Sequence, residues 1–244
     1  MAVIGFDLDG TLVDSVADIA HALNAALHEV GLPPHSTSAV RTFVGDGARM
    51  LVVRGLQHAH GRHGAPPADA DVDDVLTRFR RVYGLDPVGQ TRAFDGVDEA
   101  LAALAADGAD HNDMHVFVVV TNKPGVFARP IVEALFPGRF ALVVGPDDLG
   151  CQKPDPAVLQ AVAERLGRRV DVFVGDGGTD VGVAQAAGIP SVGVTWGLKP
   201  DEVRTATVVI DRTEQLAAAI LGLLQAWPDA FAHVNGAKRV SAGR

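Results

Sequence analysis

A chain of 244 residues has room for one large domain, or for a core with a smaller companion. Apolar residues make up 48% and charged residues 21%, as in soluble globular proteins, while a formal net charge of -9 argues against a nucleic-acid surface or an acidic membrane partner. The single cysteine, Cys151, excludes an internal disulfide; with no basic leader in "MAVIGFDLDG" and no apolar stretch of membrane-spanning length, the expected setting is the cytoplasm.

"AVIGFDL" opens the chain as a buried strand. No strand pattern follows between Ser15 and about Ala93. "SVADIAHALNAALHEVG" instead repeats Val16, Ile19, Ala20, Leu23, Leu27 and Val30 at helical spacing, and "ARMLVVRGLQHAH" and "DADVDDVLTRFRRVYG" also read as helices. "HAHGRHGAPPADA" is expected to be a loop between them. The alternation then starts. "DGVDEALAALAADG" is a helix expected to stop at Gly108, followed by a polar surface insertion, "ADGADHNDMHV". "HVFVVVTN", "FALVVGPD", "VDVFVGDG" and "IPSVGVTW" are further strands, with helices in "DPAVLQAVAERLG" and "TDVGVAQAAG". The strands lack in/out alternation, as expected of parallel strands covered on both faces.

This order predicts an α/β fold: a doubly wound, Rossmann-like parallel sheet with an inserted α-helical domain. The core takes residues 1–14 and 94–227, the insertion residues 15–93, and residues 228–244 form a loose tail.

In such sheets ligands bind beyond the carboxyl ends of the strands. The first strand ends at Asp7 and Asp9, the second at Thr121, Asn122 and Lys123. The third leads to Asp147, Asp148 and Lys153, and the fourth to Asp176, with Asp180 four residues on. Carboxylates crowded on one rim repel unless a cation joins them, and an oxygen-rich site suits a hard ion such as Mg²⁺. One aspartate of the first pair can attack phosphorus while its neighbour moves protons.

"DLDGT", "VVVTN", Lys153 in "QKPDP" and "VGDGGTD", in this order, resemble the four motifs of the haloacid dehalogenase superfamily of phosphatases. The helical insertion after the first motif resembles its C1-type cap. "DGTLVDS", "FVGDGARMLV", "TNKP", "VVGPDDL" and "KPDP" are most similar to the phosphoglycolate phosphatase branch. The resemblance implies Asp7 as nucleophile, Asp9 as acid/base, and Thr121 and Lys153 as holders of phosphoryl oxygens. It also implies Mg²⁺ held by Asp7, the Asp9 carbonyl and Asp176, supported by Asp180. The implied substrate is a small anionic phosphate ester, with Asn122 and the cap residues Gly45, Asp46, Gly47 and Arg49 facing it, in a monomer or homodimer. Two departures stand out: Gly177 replaces the usual Ser or Thr after the fourth-motif aspartate, and the cap has "GDG" where the branch often has "GNG".

Other signals have plainer readings. Asp14 and Ser15 are expected to cap the first inserted helix. His58, His60 and His63 fit a solvated loop better than a metal site. Among other enzymes of this fold, a phosphosugar phosphatase or mutase, or a pyrophosphatase, stays open. A phosphonate hydrolase is disfavoured because residues 15–93 contain no lysine, and a dehalogenase because Asp9 and Asp176 would be unexplained. A dinucleotide enzyme is disfavoured because "GDGARM" and "GDGGTD" put Met50 and Asp180 where a third glycine belongs. A non-catalytic binding protein would not be expected to keep the whole acid–lysine set.

Overall fold

The computed structural model describes residues 1–61, 67–110 and 114–227. Among them six strands form one parallel sheet in the order β5–β4–β1–β6–β7–β8. The strands are β1 (Val3–Phe6), β4 (Val116–Val120), β5 (Leu142–Val144), β6 (Val172–Gly175), β7 (Ser191–Val194) and β8 (Val208–Ile210). The central strand β1 pairs with β4 from Val3↔Val116 to Phe6↔Val119, and with β6 from Ile4↔Val172 to Phe6↔Val174.

Strand pleating sends alternate side chains to opposite faces. Ile4, Phe6, Val119 and Val174 pack on α5 (Val97–Asp110), α6 (Gly125–Leu135) and α10 (Leu216–Ala226), through Leu101, Ile131 and Ile220. Val3, Val118, Val120 and Phe173 pack on α8 (Ala157–Leu166) and α9 (Gly178–Ala187), through Leu159, Val162 and Val183. Both faces are covered, which explains the unbroken apolar runs in the strands. The expected α/β doubly wound architecture is the one observed.

Among the described residues four helices follow the first strand: α1 (Val16–Glu29), α2 (Thr37–Arg41), α3 (Ala48–Ala59) and α4 (Asp69–Tyr83). They enclose a separate apolar cluster of Leu23, Leu27, Val52, Leu56, Val75 and Phe79, which Phe127 of α6 joins from the sheet side. At the root of this segment β2 (Val13–Asp14) pairs antiparallel with β3 (Arg92–Ala93), Val13 opposite Ala93. This short ladder lies beneath the reach of a periodicity argument and corrects the expectation of no strand in the segment.

Three further corrections concern boundaries. α5 runs through Gly108 to Asp110, so the expected surface insertion begins later; its residues 111–113 lie outside the described residues. His58 and Ala59 belong to the last turn of α3 and not to a loop. Ser15 occupies the N-cap of α1 without a side-chain cap bond, whereas the Asp14 carboxylate accepts the Val16 N–H at 3.1 Å. The short α7 (Pro146–Leu149) and a 3₁₀ turn at Thr213–Gln215 complete the elements among the described residues. The expected tail, residues 228–244, lies outside the described residues. Among the described residues no helix is long and apolar enough to cross a membrane.

Candidate active site

β1, β4 and β6 end side by side, and the residues just past them meet. Asp7 follows β1, its N–H donating to Val174 O at 2.9 Å. Gly10 then turns the chain at φ +90°. A Cβ there would lie 2.2 Å from Asp176 Oδ2, so only glycine admits the approach of these two loops. Thr11 Oγ1 donates to Asp176 Oδ1 at 3.2 Å, and the Leu198 N–H donates to Asp176 Oδ2 at 2.6 Å. Asp180 lies in the first turn of α9, where its Oδ2 accepts the Gly177 N–H at 3.0 Å. The backbone donor at Gly177 therefore persists although the hydroxyl usual in that motif is missing.

Asp7, Asp176 and Asp180 each bring one carboxylate oxygen within 4.8 Å of the others. One cation answers them: Lys153, 1% exposed, whose Nζ lies 2.6 Å from Asp180 Oδ1 and 2.8 Å from Asp7 Oδ1. Asp7 Oδ1 is buried and, despite that ion pair, receives no hydrogen bond of good geometry. Burial pushes the Asp176 carboxyl up to about 8, reinforced by the charges of Asp180 and Asp7. Burial also raises Asp180, to about 6, against the pull of Lys153. Lys153 is desolvated too, but Asp180 and Asp7 outweigh that and hold it above the ordinary lysine range. Three carboxylates against one ammonium leave an excess of negative charge. An all-oxygen set of this kind fits a hard divalent ion, which would relieve the repulsion.

Asp9 faces the other way. Lys123 Nζ donates to both of its carboxylate oxygens, at 3.0 and 2.9 Å, and Ser15 Oγ donates to Oδ1. Lys123 also stands 4.7 Å from the centroid of the Tyr83 ring. Burial opposes its charge, but Asp9 and Tyr83 hold its pKa above the ordinary range. Thr121 is buried, its Oγ1 accepting the Lys123 N–H at 3.2 Å. The Asn122 side chain clamps the backbone of Lys153, accepting its N–H at 2.9 Å and donating to its carbonyl at 3.1 Å. Its Nδ2 also lies 3.4 Å from Gly45 O.

A small cavity of about 50 Å³ opens between these residues and the inserted helices. Asp7, Asp9, Thr121, Asn122 and Lys123 line one side; Gly45, Gly47, Val44, Leu51, Phe79 and Tyr83 line the other. Among the described residues that line it, Lys123 is the one basic side chain. Asp46 and Arg49, expected at the substrate, are engaged elsewhere. Asp46 pairs with Arg54 and Lys199, and Arg49 pairs with Asp69 and Asp73 on the exposed surface of α3 and α4. His58 Nδ1 lies 3.2 Å from Nδ1 of the buried His35, and His60 Nδ1 lies 2.9 Å from Leu56 O. His63 falls outside the described residues.

Sequence reasoning missed the local roles of Ser15, Tyr83, Lys123 and Lys199. Lys123 alone carried a signal, its place directly after Thr121 and Asn122 at a strand end.

Comparison with known proteins gives a consistent result. The model of the haloacid dehalogenase-like hydrolase family matches residues 1–188. The phosphoglycolate phosphatase of Pectobacterium atrosepticum is 39% identical over 215 residues, covering 86% of this chain and 88% of its own. That of Escherichia coli K12 is 39% identical over 210 residues, covering 80% and 81%. Among solved structures, a predicted phosphoglycolate phosphatase from Haemophilus somnus superposes with a TM-score of 0.78 at 30% identity, covering 90% of this chain and 98% of its own.

Proposed function

The chain belongs to the haloacid dehalogenase-like hydrolases and is a phosphatase, and from that premise we propose that it hydrolyses 2-phosphoglycolate with the help of Mg²⁺. The observation that carries the substrate is the 39% identity to phosphoglycolate phosphatases across more than four-fifths of both chains. The cavity supports it: Lys123, the one basic side chain among its described lining residues, offers a cation to a carboxylate on the leaving group. Residues 15–93 act as the cap and residues 1–14 with 94–227 as the catalytic core of a cytoplasmic monomer or homodimer.

In this reading Asp7 attacks the phosphorus through a carboxylate oxygen, and the ester P–O bond breaks. Asp9, oriented by Lys123 and Ser15, gives its proton to the departing alkoxide oxygen. The product is an aspartyl-phosphate on Asp7. Asp9 then takes a proton from water, whose oxygen attacks phosphorus and releases phosphate and the free Asp7 carboxylate. Thr121 and Lys153 hold phosphoryl oxygens, and Asn122 keeps Lys153 in place through its backbone. The backbone at Gly45 and Gly47 closes the far wall. Asp7, the Asp9 carbonyl and Asp176 would hold Mg²⁺, steadied by Asp180; when bound, the ion would supply positive charge against that gathering on the transferring group.

The test is phosphate release from 2-phosphoglycolate, phosphosugars and pyrophosphate, with Mg²⁺ and with EDTA. Metal-dependent release with a strong preference for 2-phosphoglycolate is expected. Preference for a phosphosugar or pyrophosphate would overturn the substrate, and undiminished release in EDTA would overturn the metal.

A further inference from the structure

The loop after β7 touches both halves of the molecule through three consecutive residues. Arg41 Nη2, from the inserted helix α2, donates to Gly197 O at 2.8 Å. The next residue, Leu198, gives its N–H to Asp176 Oδ2 at 2.6 Å. Lys199 Nζ then reaches Asp46 Oδ2 at 2.9 Å, in the loop that precedes α3. Asp46 is also held by Arg54, whose other nitrogen donates to Phe43 O at 2.7 Å, at the start of the same loop. Burial raises the Asp46 carboxyl, but Lys199 and Arg54 prevail and keep it below the usual carboxylate range.

The contact is built, not incidental. The Lys199 and Asp46 side chains are only 15% and 26% exposed, so their attraction is screened less than at an open surface. Gly45, at φ +123°, lays the loop on the lysine stem: a Cβ there would lie 3.0 Å from Lys199 Cε. Glu202 continues the chain of contacts, with Oε1 3.7 Å from Lys199 Nζ and Oε2 accepting the Gly178 N–H at 2.9 Å. Gly45 and Gly47, on either side of Asp46, line the cavity.

We propose that Lys199 and Asp46 are a positioning pair that latches the 43–47 loop over the cavity and couples that closure to the setting of Asp176. Neither side chain touches the reacting atoms. Drawing Lys199 onto Asp46 fixes the backbone at 197–199, and with it the Leu198 N–H on Asp176. Without the pair, the Arg41 bond and the packing of Leu198 on the apolar cluster of the inserted helices still tie this stretch to them, but no ion pair holds the 43–47 loop to Lys199. The coupling half rests on the reading of Asp176 as a metal carboxylate; the latch half does not.

The experiment uses the full chain and two readouts that need no substrate, so it is independent of whether 2-phosphoglycolate is turned over. Amide hydrogen exchange reports on residues 43–48, and calorimetry reports on binding of Mg²⁺ alone. Lys199→Met is expected to speed exchange of that loop about fivefold and to weaken Mg²⁺ binding by about the same factor, the upper range for a partly shielded ion pair. Lys199→Arg restores both. Asp46→Asn, made from the other side of the contact, gives the same loop effect if Lys199→Met fails to fold. Exchange unchanged in the folded variants would overturn the latch. Faster exchange with unchanged Mg²⁺ affinity would overturn the coupling to Asp176.

Discussion

Lys123 grips both carboxylate oxygens of Asp9, at 3.0 and 2.9 Å, across 114 residues of chain. The pair joins the end of β4 to the loop after β1, and Tyr83 of α4 covers the ammonium. Removing the lysine leaves a carboxylate with, among the described residues, one remaining donor, Ser15, and a hole under the Tyr83 ring. Lys123→Met is therefore expected to lower kcat about 10- to 100-fold, through loss of orientation of the proton-transfer group. It should also erase any preference for an ester with an acidic leaving group over a neutral one, because the cavity loses its basic side chain. Steady-state kinetics on both kinds of ester check this; an unchanged kcat would show that Asp9 needs no such partner.

Asp7→Asn separates chemistry from folding. An amide cannot attack phosphorus, so turnover should fall about 10⁴-fold or more. The fold should survive, because the lost charge is one that Asp176 and Asp180 both oppose. Circular dichroism and thermal melting of the metal-free variant should match the parent or exceed it. Full activity in this variant would remove Asp7 as nucleophile.

Much of this site was legible because of how a parallel sheet is built. Strands buried on both faces read as unbroken apolar runs, and the polar residues that end them fall on one rim. Asp7, Thr121, Lys153 and Asp176 were found that way. The edge strand β8 escaped because it is three residues long with Val209 exposed. α6 escaped because Pro130 sits inside it. The partners of Asp9 and Asp46 escaped for a different reason: Lys123 lies 114 residues from Asp9, and Lys199 lies 153 from Asp46. No period or motif encodes an ion pair closed by the tertiary fold.

Arg49 illustrates the converse, a residue chosen on type and neighbourhood that folding directs elsewhere. Its guanidinium pairs with Asp69 and Asp73, and it is absent from the cavity lining. Arg49→Ala should leave KM for the preferred ester unchanged within about twofold, since solvated pairs of this kind contribute little. A tenfold rise in KM would return Arg49 to the substrate site.

The acid cluster sets a pH dependence whose sign follows from burial. Asp176 is pushed up to about 8 and Asp180 to about 6, first by burial, whereas an unfolded carboxyl titrates near 4. Without metal the folded chain thus binds protons that the unfolded chain has released. Stability is fully present below about pH 4 and is lost as pH rises through about 6 and then about 8. The melting temperature of metal-stripped protein should therefore fall by several degrees between about pH 5.5 and about pH 8.5, apart from contributions of other groups. Under the proposed function Mg²⁺ would bind in place of those protons, so it should raise the melting temperature more at the higher pH than at the lower. In Asp176→Asn the decline should be shallower and the Mg²⁺ increment smaller. A Mg²⁺ increment independent of pH would mean that the ion is not bound at the expense of these protons, and would detach the cluster from metal binding.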